Sequence, residues 1–416
     1  MYDNLRVDGG RLWASLMEMA EIGATPKGGV NRISFTDEDR RSRDLFTTWC
    51  SDAGLDVSVD KFGNMFARRQ GKSPDLPPVM VGSHLDSQPT GGKFDGAYGV
   101  LSGLEIVRCL NDAGIATERP IEVVNWTNEE GAILKPMIGS EVFTGALSLE
   151  DAYAMTTPAG TAESGLDDIG YKGDLDLWSY PVHSYFEAHI EQGPILEDEG
   201  LRVGVVTGAF AQRWFHLKFE GLEAHAGPTP MATRRDALVG ASLAVLAVRD
   251  IAGRVDGRRG TVGCLTPYPA SPNVIPGTVE MTIDFRHDDE DDLIAMTEEL
   301  AQAVETIAGE NRLEYVLTPT VHISRVPFHD TLVGYVRKAA EDLGAPHRDI
   351  VSGAGHDACH MAKVMPTTMV FIPCENGISH NEAENTTPED CEAGCNVLCH
   401  AVLAAANMTE DLEMPS

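Results

Sequence analysis

Between residues 212 and 321 the apolar pattern changes period in the order strand, helix, strand, strand, helix, strand. Residues 212–220 (QRWFHLKFE), 260–265, 278–286 (TVEMTIDFR) and 312–321 read as strands, whereas 233–252 and 289–308 carry apolar residues at helical spacing. This βαββαβ order is that of a ferredoxin-like sandwich, a unit of about the right size to fold by itself. It predicts an inserted domain over residues 209–326. On either side the pattern is different. Residues 77–83 (PPVMVGS), 120–126 (PIEVVNW), 184–190 (SYFEAHI) and 366–373 (PTTMVFIP) are short apolar runs, and 99–114 is helical. Helices are also expected at 11–22 and 36–54, ahead of the first strand signals. Strands alternating with helices predict an α/β domain with a mostly parallel sheet, built from residues 1–208 and 327–416.

The charge balance narrows the partners. Lys and Arg total 32 against 64 Asp and Glu, a formal net charge of −32. Such a surface repels phosphate backbones, so nucleic acid is not an expected partner. No apolar run approaches the roughly 20 residues of a membrane helix. The opening MYDNLRVDGG has neither the basic nor the apolar region of a signal peptide. With eight Cys in a long chain, this predicts reduced thiols and a cytoplasmic location. Cys391, Cys395 and Cys399 recur every four residues beside His400, and are read as small apolar residues packing one buried helix face.

Chemistry-bearing residues gather where the predicted strands end. His84 and Asp86 lie in GSHLDS, Asp95 in GGKFDGAYG, Glu129 and Glu130 in TNEEG, His189 in FEAHIEQGP and His380 in GISHNEAE. The C-terminal edge of an open α/β sheet is where ligands collect. A set rich in His and carboxylate, without Cys, suits zinc, manganese or a similar divalent ion. One carboxylate can bridge two ions roughly 3.5–4 Å apart. Of the adjacent pair Glu129 and Glu130, one can ligate while the other moves a proton.

The blocks GSHLDSQPTGGKFDGAYGVL, NEEG, EAHIEQGP, EAHAGPTPM, SPNVIPG, DFRH, SGAGHDA and SHNEAE occur in an order that resembles the M20 metallopeptidase superfamily. The closer likeness is to its amidase, hydantoinase and carbamoylase branch. The resemblance covers nearly the whole chain. It implies a binuclear α/β domain interrupted by a lid and dimerisation domain. It assigns His84, Asp95 and His189 to one ion and Asp95, Glu130 and His380 to the other, with Asp95 bridging. It makes Glu129 the general base and has Asp86 hydrogen-bond and orient the His84 imidazole. The two ions would be zinc, or manganese, cobalt or nickel.

The inserted domain would supply the substrate's other contacts. His225, in AHAGPTP, resembles a residue that completes the active site of the partner subunit in a homodimer and polarises the scissile carbonyl. Gln212, Asn273 and Arg286 resemble the group that holds a substrate carboxylate, and Gly355 would let backbone approach the ligand. His356 and Asp357 are structural candidates, and His216, His287 and His322 are read as surface or packing residues. One departure stands out: the branch follows EEG with Ser-Arg-Phe or Ala-Arg-Phe, whereas this chain has Ala132, Ile133, Leu134 and Lys135. Ile133 and Leu134 are expected to form an aliphatic wall at the substrate. The resemblance implies a hydrolase of N-carbamoyl amino acids or β-ureido acids. The alternatives are an N-acyl amino acid or dipeptide-like amide hydrolase, an allantoate amidohydrolase, or a catalytically silent binding protein.

Overall fold

The computed structural model describes residues 4–177 and 180–414. It divides into two compact units, one of residues 1–208 with 327–416 and one of residues 209–326. In the first, a nine-stranded sheet is parallel at its centre. Four strands lie side by side in the order Ile121–Trp126, Val79–His84, Ser184–Ile190, Thr367–Ile372. All four are buried along their whole length. A parallel strand covered on both faces reads as a continuous apolar run, which is why the sequence signals them clearly.

The flanks are antiparallel. Asp56–Val59 and Met65–Arg69 extend one side, and Val203–Ala209 pairs with Thr367–Ile372 on the other. The sequence reading places no strand before 77, and the structure adds these two. They have four and five residues of mixed polarity (DVSV, MFARR), too short to show a period. Three helices, Ile138–Phe143, Leu149–Ala154 and Ala162–Ile169, were likewise not legible, since six to eight residues span about two turns.

Helix Ala97–Asp112 packs on the parallel strands, and helices Gly9–Ala20 and Pro388–Ala406 pack on it and on each other. Thr387 caps the last of these, accepting the Asp390 N–H, with Pro388 at its first position. Cys391, Cys395 and Cys399 are all buried on this helix, as free thiols, and His400 bonds the Leu5 carbonyl at 3.0 Å. Ion-binding groups among the described residues do not include them. No helix of the described residues is long and apolar enough to cross a membrane.

The second unit carries an antiparallel sheet in the order Arg259–Tyr268, Thr278–His287, Ala211–Glu220, Glu314–Ile323. Helices Ala237–Gly253 and Glu290–Asn311 cover one face. Strand Thr278–His287 alternates strictly, burying Val279, Met281, Ile283 and Phe285 against Leu293, Met296, Leu300 and Val304. Burying each such side chain contributes about 1.5–3 kcal/mol. Of the histidines read as non-functional, His216 lies 3.5 Å from Glu280, His322 pairs with Glu290 at 3.1 Å, and His287 is buried and accepts the Asp289 N–H.

Candidate active site

Parallel pairing brings the chemistry to one edge because the strands run in step. His84 ends its strand opposite Trp126, and His189 lies opposite Phe371. Glu129 and Glu130 follow Trp126 by three and four residues, and His380 sits in the loop beyond Thr367–Ile372. Asp95 lies in the loop that feeds helix Ala97–Asp112. The structure therefore joins His84, Asp95 and His189 in one group and Asp95, Glu130 and His380 in a second, each with its donor atoms within 4.8 Å of one another.

The two oxygens of Asp95 face different groups. Oδ1 lies 3.0 Å from His189 Nε2 and 3.5 Å from His84 Nε2. Oδ2 lies 3.7 Å from His380 Nε2, which is itself 3.2 Å from Glu130 Oε2. Two ligands on one zinc-like ion at about 2.0–2.1 Å stand about 3.3 Å apart in a tetrahedron, so these separations suit an ion.

The histidine tautomers are set by backbone. His84 Nδ1 donates to the Asp86 carbonyl at 3.0 Å, and His189 Nδ1 donates to the Ile190 carbonyl at 2.9 Å. Each neutral ring then carries its lone pair on Nε2, the atom facing Asp95. His84 Nε2 is buried without a hydrogen-bond partner, and His189 Nε2 accepts the Gly96 N–H at 3.2 Å. A buried orphan nitrogen aimed at carboxylates fits a cation.

Electrostatics point the same way. Although burial opposes it, Glu129, Asp95, Asp86 and Glu130 raise the His84 pKa well above its usual value. Burial, assisted by Asp357 and Glu130 and opposed by His84, raises Glu129 well above the usual carboxyl range. Hydrogen bonding to Glu130 raises His380 to about 9. A cation among these groups would relieve the crowding of carboxylates.

Asp86 departs from its expected role. Its carboxylate lies 3.7 Å from His84 Nδ1, beyond hydrogen-bond range; the backbone carbonyl is what holds the imidazole. The carboxylate instead accepts the N–H groups of Glu129 (3.2 Å) and Glu130 (3.3 Å) and the Ser34 hydroxyl (3.0 Å). Asp86 thus ties the His84 strand end to the loop carrying both glutamates. It does this by geometry available only because the strands are adjacent.

Gly96 shows how closely the site is packed. Its φ is +65°, and a Cβ there would stand 2.4 Å from three ring atoms of His84. Only Gly admits both the backbone conformation and the imidazole. His380 and Gln192 adopt left-handed φ of 53° and 57° without that freedom, a strained backbone of the kind that clusters at functional sites. Gln192 was not singled out by sequence, yet its Nε2 donates to Asp95 Oδ2 at 2.8 Å. Gln88, likewise missed, donates its side-chain amide to Glu130 Oε2 at 3.0 Å and its backbone N–H to Glu130 Oε1 at 3.2 Å. Glu384 is buried in the SHNEAE segment, and burial with the nearby Asp95 pushes it up to about 8.

The remaining sequence candidates of this domain take the following places. Leu134 is buried in a cluster with Phe62, Ile138, Val142, Ala152, Ala162 and Leu166, and Ile133 packs against it. Leu134 in the cluster and Ile133 against it are part of the apolar packing of the short-helix segment, where aliphatic groups are drawn by burial. Gly355 has no left-handed φ, and a Cβ there would meet only the flexible end of Met137. The His356 ring packs at a tilt against His189, centroids 4.6 Å apart, and Asp357 accepts the Ser140 hydroxyl at 2.5 Å, so both buttress the site.

In the second unit, His225 pairs with Val274 in a short ladder, next to Asn273. Its Nδ1 accepts the Gly227 N–H at 3.1 Å, so the neutral ring presents Nε2–H as a donor. His225 is exposed. Gln212 and Arg286 are direct cross-strand partners. Asp284, two residues before Arg286 on the same strand, holds its guanidinium at 2.8 Å. The Arg286 fork is therefore pre-positioned and partly neutralised.

Known proteins agree with this geometry. The model of peptidase family M20/M25/M40 matches residues 80–404. An N-carbamoyl-L-amino-acid amidohydrolase of Rhizobium meliloti is 48% identical over 98% of this chain and 99% of its own length. One from Geobacillus stearothermophilus is 39% identical over 95% and 98%. The crystal structure of an amidase of the hydantoinase/carbamoylase family from Burkholderia multivorans matches with a TM-score of 0.92 and 54% identity, covering 97% of this chain and 99% of that one. With its sheet, its two overlapping donor groups and its relatives in accord, this chain belongs to peptidase family M20/M25/M40, a family of metal-dependent hydrolases.

Proposed function

We propose that the chain hydrolyses the C–N bond of N-carbamoyl amino acids or β-ureido acids. One water is consumed, and the products are an amino acid, ammonia and carbon dioxide. The observation that carries this reading is the placement of Glu129 Oε2 3.4 Å from the orphan His84 Nε2, at the meeting point of two donor groups that share Asp95. The names of the relatives at 48% and 39% identity support the substrate class. His84, Asp95 and His189 would hold one divalent ion, and Asp95, Glu130 and His380 a second, zinc or manganese, cobalt or nickel. When bound, such ions supply Lewis acidity, lowering the pKa of a water and polarising a carbonyl.

The protein's own groups do the rest. Glu129 takes the proton from the attacking water and delivers it to the departing amine nitrogen. Asp86 holds the backbone of Glu129 in place. Arg286, Gln212 and Asn273 bind the substrate carboxylate, and His225 donates from Nε2 to the carbonyl oxygen as charge develops there. An acyl-amide substrate would be favoured by the aliphatic pair Ile133 and Leu134, but these pack in or against a core cluster.

The test is a product assay across N-carbamoyl, N-formyl and N-acyl amino acids, each with a free and an amidated carboxylate. We expect free-carboxylate ureides to be turned over best, and Arg286→Ala to lower kcat/KM about one to two powers of ten, the equivalent of a charge-assisted bond of roughly 1.5–3 kcal/mol. Equal rates on amidated substrates would remove Arg286 from the reading.

We further propose a homodimer in which His225 serves the partner subunit's site. His225→Ala and Glu129→Gln homodimers should then both be nearly inactive, and mixing them under subunit exchange should restore part of the activity. Absence of recovery, with exchange verified by mass-tagged subunits, would exclude a shared site.

A further inference from the structure

The SHNEAE segment contributes His380 to the site, but nothing so far uses its last residue. Glu384 is 3% exposed. Its Oε1 accepts the backbone N–H groups of Phe94 and Asp95, both at 3.1 Å. Its Oε2 lies 3.1 Å from the Ser379 hydroxyl, which is also 2.9 Å from Asp95 Oδ2. The carboxylate therefore grips Asp95 at two points, directly through its backbone amide and indirectly through Ser379. The loop is shaped around it: a Cβ on Gly92 would stand 2.0 Å from Glu384 Cδ and Oε1. A side chain at 92 would have to displace it.

Asp95 needs such a grip. Its two oxygens face two different groups, so a turn of the carboxylate that improves one set of distances spoils the other. We propose that Glu384 is a positioning residue that fixes the Asp95 carboxylate between the two ion-binding groups, an inference that rests on the metal-dependent reading above. Glu384 belongs to neither ion-binding group itself. Because it lies four residues after His380, one loop carries both a ligand of the second group and the clamp on the carboxylate shared with the first.

Three full-length variants test this: Glu384→Ala, Glu384→Gln and Ser379→Ala. Each is stripped with chelator and titrated with zinc by calorimetry, and its cobalt form is examined by visible absorption. Loss of an outer partner typically costs 10–100-fold in metal affinity. We expect Glu384→Ala to bind zinc about 10–100-fold more weakly than the parent, with an altered cobalt spectrum. Glu384→Gln keeps an acceptor for the two N–H groups and should recover most of the affinity. Ser379→Ala breaks only the indirect link and should show a smaller loss.

If Glu384→Ala binds zinc as tightly as the parent and only the melting temperature of the ion-free protein falls, the residue is merely structural and the proposal fails. It fails also if Glu384→Gln is as defective as Glu384→Ala, since charge and not hydrogen-bond geometry would then be responsible. Should Glu384→Ala not fold, Glu384→Gln and Ser379→Ala decide: parental affinity and spectrum in Ser379→Ala would overturn the indirect grip. A parent that binds no zinc would instead overturn the metal-dependent reading itself.

Discussion

Glu129→Gln should bind ions as the parent does and turn over an N-carbamoyl amino acid at least roughly 10²–10⁴-fold more slowly, the usual cost of losing general acid–base catalysis. Gln has the shape of Glu and lacks its basicity. The fold around the position does not depend on the carboxylate. The backbone of Glu129 is held by Asp86 at its N–H (3.2 Å) and by the Met137 N–H at its carbonyl (2.7 Å). The carboxylate lies 3.4 Å from His84 Nε2 and the residue is 8% exposed, which suits the proposed role as base. Two measurements on the same preparation are needed, elemental analysis and single-turnover rate. Full metal with near-parental rate would place the base elsewhere. Lost metal with lost rate would make Glu129 a ligand and leave Glu130 as the candidate base.

Asp95→Ala should lower metal content from about two ions per chain to nearly none, with activity lost in parallel. Among the described residues, no other side chain belongs to both groups. Oδ1 stands 3.0 Å from His189 Nε2, and Oδ2 is the oxygen on the side of His380. Removing the carboxylate leaves two buried imidazoles on one side and a Glu130–His380 pair on the other, a set too small to close either site. Asp95→Asn would keep the acceptor for Gln192 and Ser379 and lose the charge, and should fall between parent and Ala. One tightly held ion in Asp95→Ala would show that the two groups are independent and that Asp95 does not bridge.

How much of this was legible in the chain varies from element to element. The four central strands were, because a strand buried on both faces must be apolar throughout and stands out as a run. The βαββαβ order of residues 209–326 was too, because alternation in Thr278–His287 and helical spacing in Glu290–Asn311 are different periods. Asp56–Val59, Met65–Arg69 and the helices between 138 and 169 were not, because elements of four to eight residues fall below the length at which a period shows.

The site divides along the same line. Residue type and strand-end position identified His84, Asp95, Glu129, Glu130, His189 and His380, since ion chemistry demands those side chains and parallel sheets present them at one edge. Gln88, Gln192, Ser379 and Glu384 escaped notice because neutral amides, hydroxyls and an acid in a loop carry no signal alone. They gain meaning only from 2.8–3.2 Å contacts to groups 42, 97 or 290 residues distant. Asp86 makes the point within one residue. The family resemblance implied a bond from its side chain to the imidazole, and the imidazole does bond to Asp86, but through the carbonyl, leaving the carboxylate to pin Glu129 and Glu130. Ile133 and Leu134 make it in reverse: neighbours of Glu130 in sequence, they turn away into a core cluster once Gly131, at φ 71°, redirects the chain. Sequence alone determined which chemical groups the protein has and which edge of the sheet gathers them. Tertiary structure decided which atom of each group faces the centre, because hydrogen-bond partners and packing, not residue identity, set side-chain orientation.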